Sequence, residues 1–229
     1  MCGIVGIAGQ KNIIPYIIKS LEKLEYRGYD SSGIATICGE NFLEKKSVGK
    51  LSKLKKILSN EIVEGNVCIG HTRWATHGIV NEANAHPQIS NDVAVVHNGI
   101  IENHKVLRKE LEEKGHIFVS DTDSEVISQL CSYFLQKENN YEKALLLTLK
   151  KLEGAFAFCL MFKKKKNFLF FAKRGSPLVI GYGNEDMFIA SDPSALLHVT
   201  NNISYLQDYD WGFIKNNQIM IYDNNYKEI

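Results

Sequence analysis

Strand-like apolar runs crowd both ends of this sequence, and many are apolar at odd and even positions alike. A strand of that kind asks for cover on both faces. The runs are Cys2–Gly9, Gly33–Cys38, Phe42–Val48, Val67–Trp74, Val93–Ile101, Ala155–Phe162, Phe168–Ala172, Leu178–Tyr182, Met187–Ala190, Tyr205–Leu206, Trp211–Ile214 and Ile219–Tyr222. Helical patterns fall at Ile13–Leu24, Leu51–Leu58, His104–Lys114, Asp123–Leu135 and Tyr141–Leu152. Leu107 and Leu111 share a helix face, and Gly115 is placed to end that helix. Helices gather in the middle of the chain, unlike the strand–helix alternation of a parallel sheet. The order favours an α+β fold of two sheets stacked face to face with helices outside. Periodicity by itself also allows one large α+β sheet.

The 229 residues suffice for a sizeable core and fit one domain. A net charge of +1 gives no electrostatic reason to expect nucleic acid or an anionic membrane as partner. The basic run Lys163–Lys166 reads as a solvated turn between two strands. Five cysteines (Cys2, Cys38, Cys68, Cys131, Cys159) are odd in number and scattered, without the spacing of a zinc or redox motif. A reducing cytosol fits them best. The apolar stretch Ile13–Ile18 contains Pro15 and is far too short to span a bilayer, so a cytoplasmic protein is expected.

Cys2 follows Met1 directly, with no export signal around it. Removal of Met1 would leave a residue carrying both a thiol and a free α-amine. An α-amine titrates near ~7.7–8.0 and a thiol near ~8.5, so the amine can take the proton of its own side chain close to neutrality. A small buried residue on a first strand is the plainer reading of the same position. Three further segments concentrate polar residues among apolar ones: Glu25–Gly33, His71–Gly78 with Asn84–Pro87, and His97-Asn98-Gly99. Asn-Gly is a common hairpin turn, but Glu102–Lys114 turns helical almost at once, which disfavours a hairpin. The Asn98 amide and the Gly99 backbone N–H could instead serve one oxyanion.

Arg73 sits in a loop rich in small residues, where its planar fork suits a carboxylate as well as solvent. Asp123 lies in Thr122-Asp123-Ser124-Glu125, a capping-box pattern, where an acid is favoured by the helix dipole and could also meet an ammonium. Five of the seven histidines fall between His71 and His104. None makes the i, i+4 pair of a helical zinc motif, so no metal and no cofactor is expected. A Cys–His dyad stays open on the residues alone.

Cys2–Gly6, Tyr26–Ser31, His71–Gly78, Asn84–Pro87 and His97–Asn103, with Gly175–Val179 and Ala190–Asp192, resemble the glutaminase domain of the glucosamine-6-phosphate synthases. These are class II glutamine amidotransferases of the N-terminal nucleophile type. The resemblance covers essentially the whole chain and implies an αββα sandwich. It implies Cys2 as nucleophile and its α-amine as general base, with Asn98 and Gly99 as oxyanion donors and Arg27 beside the thiol. It further implies that Arg73 and Asp123 bind the α-carboxylate and α-ammonium of L-glutamine, with Gly99 contributing to the pocket. Trp74, Thr76 and His77 would close over the substrate, and His86 would face a partner domain. That partner would be a sugar-phosphate isomerase domain, not present in these 229 residues, through which oligomers could form. Two other readings stand beside it: a glutaminase serving phosphoribosyl-pyrophosphate amination, and a glutamine-binding module without catalysis.

Overall fold

The computed structural model describes residues 2–75, 79–215 and 217–229. In chain order, β1 (Gly3–Ala8) leads to α1 (Ile14–Leu24), a 3₁₀ turn (Glu25–Arg27), β2 (Ser31–Cys38), β3 (Asn41–Val48), α2 (Leu51–Ser59) and β4 (Val67–Arg73). Then come β5 (Gln88–Ser90), β6 (Val93–Ile101) and three helices, α3 (His104–Glu112), α4 (Glu125–Glu138) and α5 (Tyr141–Lys151). Strands β7 (Gly154–Phe162), β8 (Phe168–Arg174), β9 (Val179–Tyr182), β10 (Met187–Ala190), β11 (Ile203–Tyr205), β12 (Trp211–Lys215) and β13 (Gln218–Tyr222) complete the chain.

The strands form two sheets, ordered β11-β9-β10-β1-β4-β2-β3 and β13-β12-β8-β7-β6-β5. The ladders between neighbours within each sheet are antiparallel. Side chains alternate along a strand, and here each alternation serves two cores. Ile4, Ala35 and Ile69 meet Ala94, Val96, Ala157, Cys159 and Phe171 between the sheets. Val5, Ile7, Ile34 and Cys68 point the other way, beneath Ile17, Leu21 and Leu24 of α1 and Leu51 and Leu54 of α2. On the far side, Val93, Val95, Phe158 and Phe162 pack under Leu107, Leu111, Ile127, Leu130 and Leu145 of α3–α5. Three cores make four layers, αββα. The double-sided apolar strands are thereby explained, and the single-sheet alternative is not what the chain adopts.

Several boundaries follow from local chemistry. Helix α3 ends where expected: Gly115 takes a φ of +88°, its N–H donates to the Glu112 carbonyl, and His116 N–H reaches back to Leu111. The Lys163–Lys166 run is the turn between β7 and β8, with Lys163 paired to Asp92 at 3.0 Å. Asn98-Gly99 lies inside β6 and makes no hairpin. The capping box does not form. Ser124 is the N-cap without a side-chain cap bond, and the Glu125 carboxylate instead accepts from Val119 and Ser120 N–H. The short β5 was not legible, and α4 starts at Glu125 and extends to Glu138. Among the described residues no helix is long and apolar enough to cross a membrane.

Candidate active site

Cys2 (directly ahead of β1) and Ile4, Ile69, His71 and Arg73, and Val96 and Asn98 are pairs or triplets of same-parity residues along β1, β4 and β6. Ile4, Ile69 and Val96 belong to the core between the sheets. Alternation therefore carries Cys2, His71, Arg73 and Asn98 onto the same inner face, one or two steps further along. At this end the apolar filling gives way to polar side chains, and the sheets enclose a small cavity. Cys2, Arg73, Trp74, Asn98, Gly99 and Asp123 all line it.

The Cys2 sulfur sits at the head of β1, which is held on one side by β4 and on the other by β10. It accepts from Trp74 N–H at 3.2 Å and donates to the Trp74 carbonyl at 3.4 Å. Burial pushes the thiol pKa up, and the Trp74 backbone bond only partly offsets this. The Asn98 Nδ2 donates to the Cys2 carbonyl oxygen at 3.0 Å, so its amide nitrogen faces Cys2. Gly99 has a φ of +115°, and a Cβ there would lie 2.0 Å from the Ala155 carbonyl oxygen. Only glycine lets the strand turn so sharply against β7.

Arg73 is buried, and its Nη1 donates to the Ile79 carbonyl at 3.4 Å. Asp123 is also buried; its Oδ2 accepts from Ile101 N–H at 2.8 Å, which fixes the carboxylate over the end of β6. A cation and an anion thus stand on the wall of one cavity. Trp74 is half exposed and meets the Tyr29 ring edge-on at 5.3 Å. Thr76 and His77, expected to close over the substrate, lie outside the described residues. The cavity measures about 30 Å³, room enough for a water molecule.

The 26–31 segment, singled out as a motif, acts as a brace. Arg27 Nη1 donates to Asp192 Oδ2 at 2.6 Å, and Tyr26 shares that oxygen at 3.0 Å. Burial would raise the Asp192 pKa, but its bonds to Ser194 and Tyr26 and the charge of Arg27 bring it below the ordinary value. The charge that Arg27 carries is therefore offset by a carboxylate. Gly28 lets the chain press on Arg73: a Cβ would fall 2.6 Å from the Arg73 carbonyl carbon. Asp30 N–H donates to the Arg73 carbonyl at 3.1 Å, and the Asp30 carboxylate accepts from Ala75 N–H.

Three buried histidines back the site. His71 Nε2 lies 3.0 Å from Asn98 Oδ1 and 3.1 Å from the His97 carbonyl. His86 stacks on His71 with ring centroids 4.1 Å apart, and His97 Nδ1 meets Ser124 Oγ at 2.8 Å. Burial lowers the pKa of all three, to about 3 for His71. No metal-holding group of three His, Cys, Asp or Glu exists among the described residues. Reading residues one at a time missed the roles of Asp30 and His71. For His71 the available signal was a titratable side chain lodged in the otherwise apolar strand Val67–Arg73.

A four-layer sandwich with cysteine at the head of a central strand is the architecture of amidotransferases of the N-terminal nucleophile type. A glutamine phosphoribosylpyrophosphate amidotransferase from B. subtilis superimposes with a TM-score of 0.83 at 27% identity, covering 97% of this chain and 49% of that one. The sequence profile of the glutamine amidotransferase domain matches residues 71–198, and the chain belongs to that family. A glutamine–fructose-6-phosphate aminotransferase (isomerizing) from Mesorhizobium japonicum is 46% identical over 229 residues, all of this chain and 38% of the relative. Its counterpart from Zymomonas mobilis is 46% identical over 223 residues, 97% of this chain and 37% of the relative. The chain thus spans less than two fifths of the length of these relatives.

Proposed function

We propose that the chain hydrolyses L-glutamine to glutamate and ammonia through a thioester on Cys2. The observation that carries this reading is the meeting of the Cys2 sulfur, the Asn98 amide and Gly99 with the Arg73–Asp123 pair around one cavity. Arg73 and Asp123 would take the α-carboxylate and α-ammonium of the substrate, which leaves the side-chain amide directed at Cys2. A thiol raised by burial needs a proton acceptor beside it. The hydrogen bonds of the sulfur among the described residues go to the Trp74 backbone, not to a histidine, which favours the α-amine freed by loss of Met1.

The amine takes the thiol proton as sulfur attacks the amide carbon. Asn98 Nδ2 and the Gly99 N–H hold the oxyanion, and the ammonium returns its proton to the leaving ammonia. Water, deprotonated by the same amine, then cleaves the thioester to glutamate and restores the thiol. Trp74, with Thr76 and His77 beyond it, would cover the substrate and keep water out. Arg27, tied to Asp192 beside Ser191, which bonds the Ile4 backbone, would brace the start of β1 next to Cys2.

We further place the domain in an enzyme that passes ammonia to fructose-6-phosphate through a sugar-phosphate isomerase domain. Identity of 46% to aminotransferases of that name, against 27% to the phosphoribosylpyrophosphate enzyme, supports this acceptor. Histidine His86 is buried beside His71 and would act within the domain, not at its surface. Five free cysteines fit a reducing, cytoplasmic setting. The test is glutamate release and intact mass on the chain trimmed to Cys2. Cys2→Ala should abolish release and trap no acyl adduct, and a chain retaining Met1 should be nearly inactive. Undiminished release by Cys2→Ala would end the thioester reading, and full activity with Met1 in place would return the base to a histidine.

A further inference from the structure

A carboxamide is useful to an oxyanion only in one of its two orientations, and its own shape does not choose between them. The choice falls to whatever sits behind it. Behind Asn98 sits His71, fully buried on β4, with Nε2 3.0 Å from Asn98 Oδ1 and 3.1 Å from the His97 carbonyl oxygen. Both neighbours are acceptors, so Nε2 must carry the proton. With its oxygen claimed by that proton, the Asn98 amide turns its NH₂ toward Cys2, where Nδ2 stands 3.0 Å from the Cys2 carbonyl. The flipped amide would set NH₂ against Nε2–H and aim a carbonyl oxygen at the place where negative charge develops.

We propose that His71 is a positioning residue for the reaction: its Nε2–H fixes the orientation of the Asn98 oxyanion donor without touching substrate. Two features support the assignment. Burial keeps the ring neutral, with a pKa brought down to about 3, so the tautomer set by the two acceptors is not lost to protonation across the working pH range. His86 lies against the ring face at 4.1 Å and 29°, which limits rotation of the imidazole. A histidine serving only as core filler would not need two acceptors within 3.1 Å of one ring nitrogen. The inference rests on the proposed oxyanion role of Asn98, and the experiment separates the two.

Glutamine turnover is compared for His71→Phe, His71→Gln, Asn98→Ala and the double variant His71→Phe/Asn98→Ala. An oxyanion donor is worth ~10²–10³ in turnover, so His71→Phe should lose about 10–100-fold in kcat with KM within about 3-fold, since the contact matters only in the transition state. His71→Gln keeps a side-chain N–H and should recover most of the loss. The double variant should be no worse than Asn98→Ala, because both changes remove one function. An Asn98→Ala enzyme of normal kcat would refute the oxyanion reading itself. A normal Asn98 effect with unchanged kcat in His71→Phe, or with multiplying losses in the double variant, would overturn only the positioning role. Should His71→Phe fail to fold, ¹⁵N imidazole shifts of the unaltered protein decide: the Nε2–H tautomer should hold from pH 5 to 8. An Nδ1–H tautomer, or titration near the ordinary histidine value, would overturn the proposal.

Discussion

Gly99 and Asp30 serve the site by backbone contacts, and each can be tested by one substitution. Alanine at Gly99 would meet both the positive φ of +115° and the Ala155 carbonyl at 2.0 Å. Strain at such a position costs ~1–3 kcal/mol, and the displaced N–H would no longer serve the proposed oxyanion. Gly99→Ala should therefore lower both the urea midpoint and kcat, the latter about 100-fold or more. A variant with wild-type turnover would remove Gly99 from the mechanism. Asp30 holds Ala75 N–H, two residues beyond Arg73, and a hydrogen bond to a charged group is worth ~1.5–3 kcal/mol. Asp30→Ala should raise the KM for glutamine about tenfold while kcat changes less, and an unchanged KM would show that the brace is dispensable. Cys2, Arg73, Asn98, Gly99 and Asp123 could be picked out in the sequence because each carries unusual chemistry for its surroundings. Asp30 and His71 stood in the same motifs but had no readable role. What they do depends on partners 45 and 27 residues away, and nothing local encodes that.

Among the elements, strands buried on both faces were the most legible; β6 spans Val93–Ile101, as its apolar run predicts. Strand β5 is only three residues, Gln88–Ser90, and its two polar residues are the buried ones, so its pattern runs against a hydrophobic reading. Helix α4 misled in a different way. Glu125 has the spacing of a capping box but finds two backbone N–H groups in the preceding loop, a choice decided by tertiary structure. Close approach of the sheets makes its own demand on β1. A Cβ at Gly6 would lie 2.9 Å from Leu169 Cδ2 and 3.0 Å from Cys159 Sγ, across the inner core. Gly6→Val should destabilise the fold by ~1–3 kcal/mol through overpacking, with Gly6→Ala milder, as read from urea unfolding. Equal stability of Gly6→Val and the parent would mean that the sheets separate at little cost.

At the scale of the whole molecule, the four layers place three neutral histidines where acid must eventually charge them. Each has a folded pKa lowered by burial, so protons bind the unfolded chain more readily. Stability is then full above the ordinary histidine value of ~6.5 and is lost as pH falls from there toward about 3 for His71. One such proton gives a slope of ~1.4 kcal/mol per pH unit, measurable between pH 6.5 and 4.5, above the range where most carboxylates titrate. A flat urea midpoint over that interval would contradict neutral burial. The stacking of two sheets could be suspected from the sequence but not established, since β1 pairs with β10 some 180 residues later. That same pairing has a practical consequence. Gly3 is paired to Thr72 and the Ile4 N–H is held by Ser191 Oγ, which leads the residue ahead of them into the cavity, whereas Ile229 is exposed. A purification handle fused ahead of Cys2 would plug the chamber it was meant to help isolate.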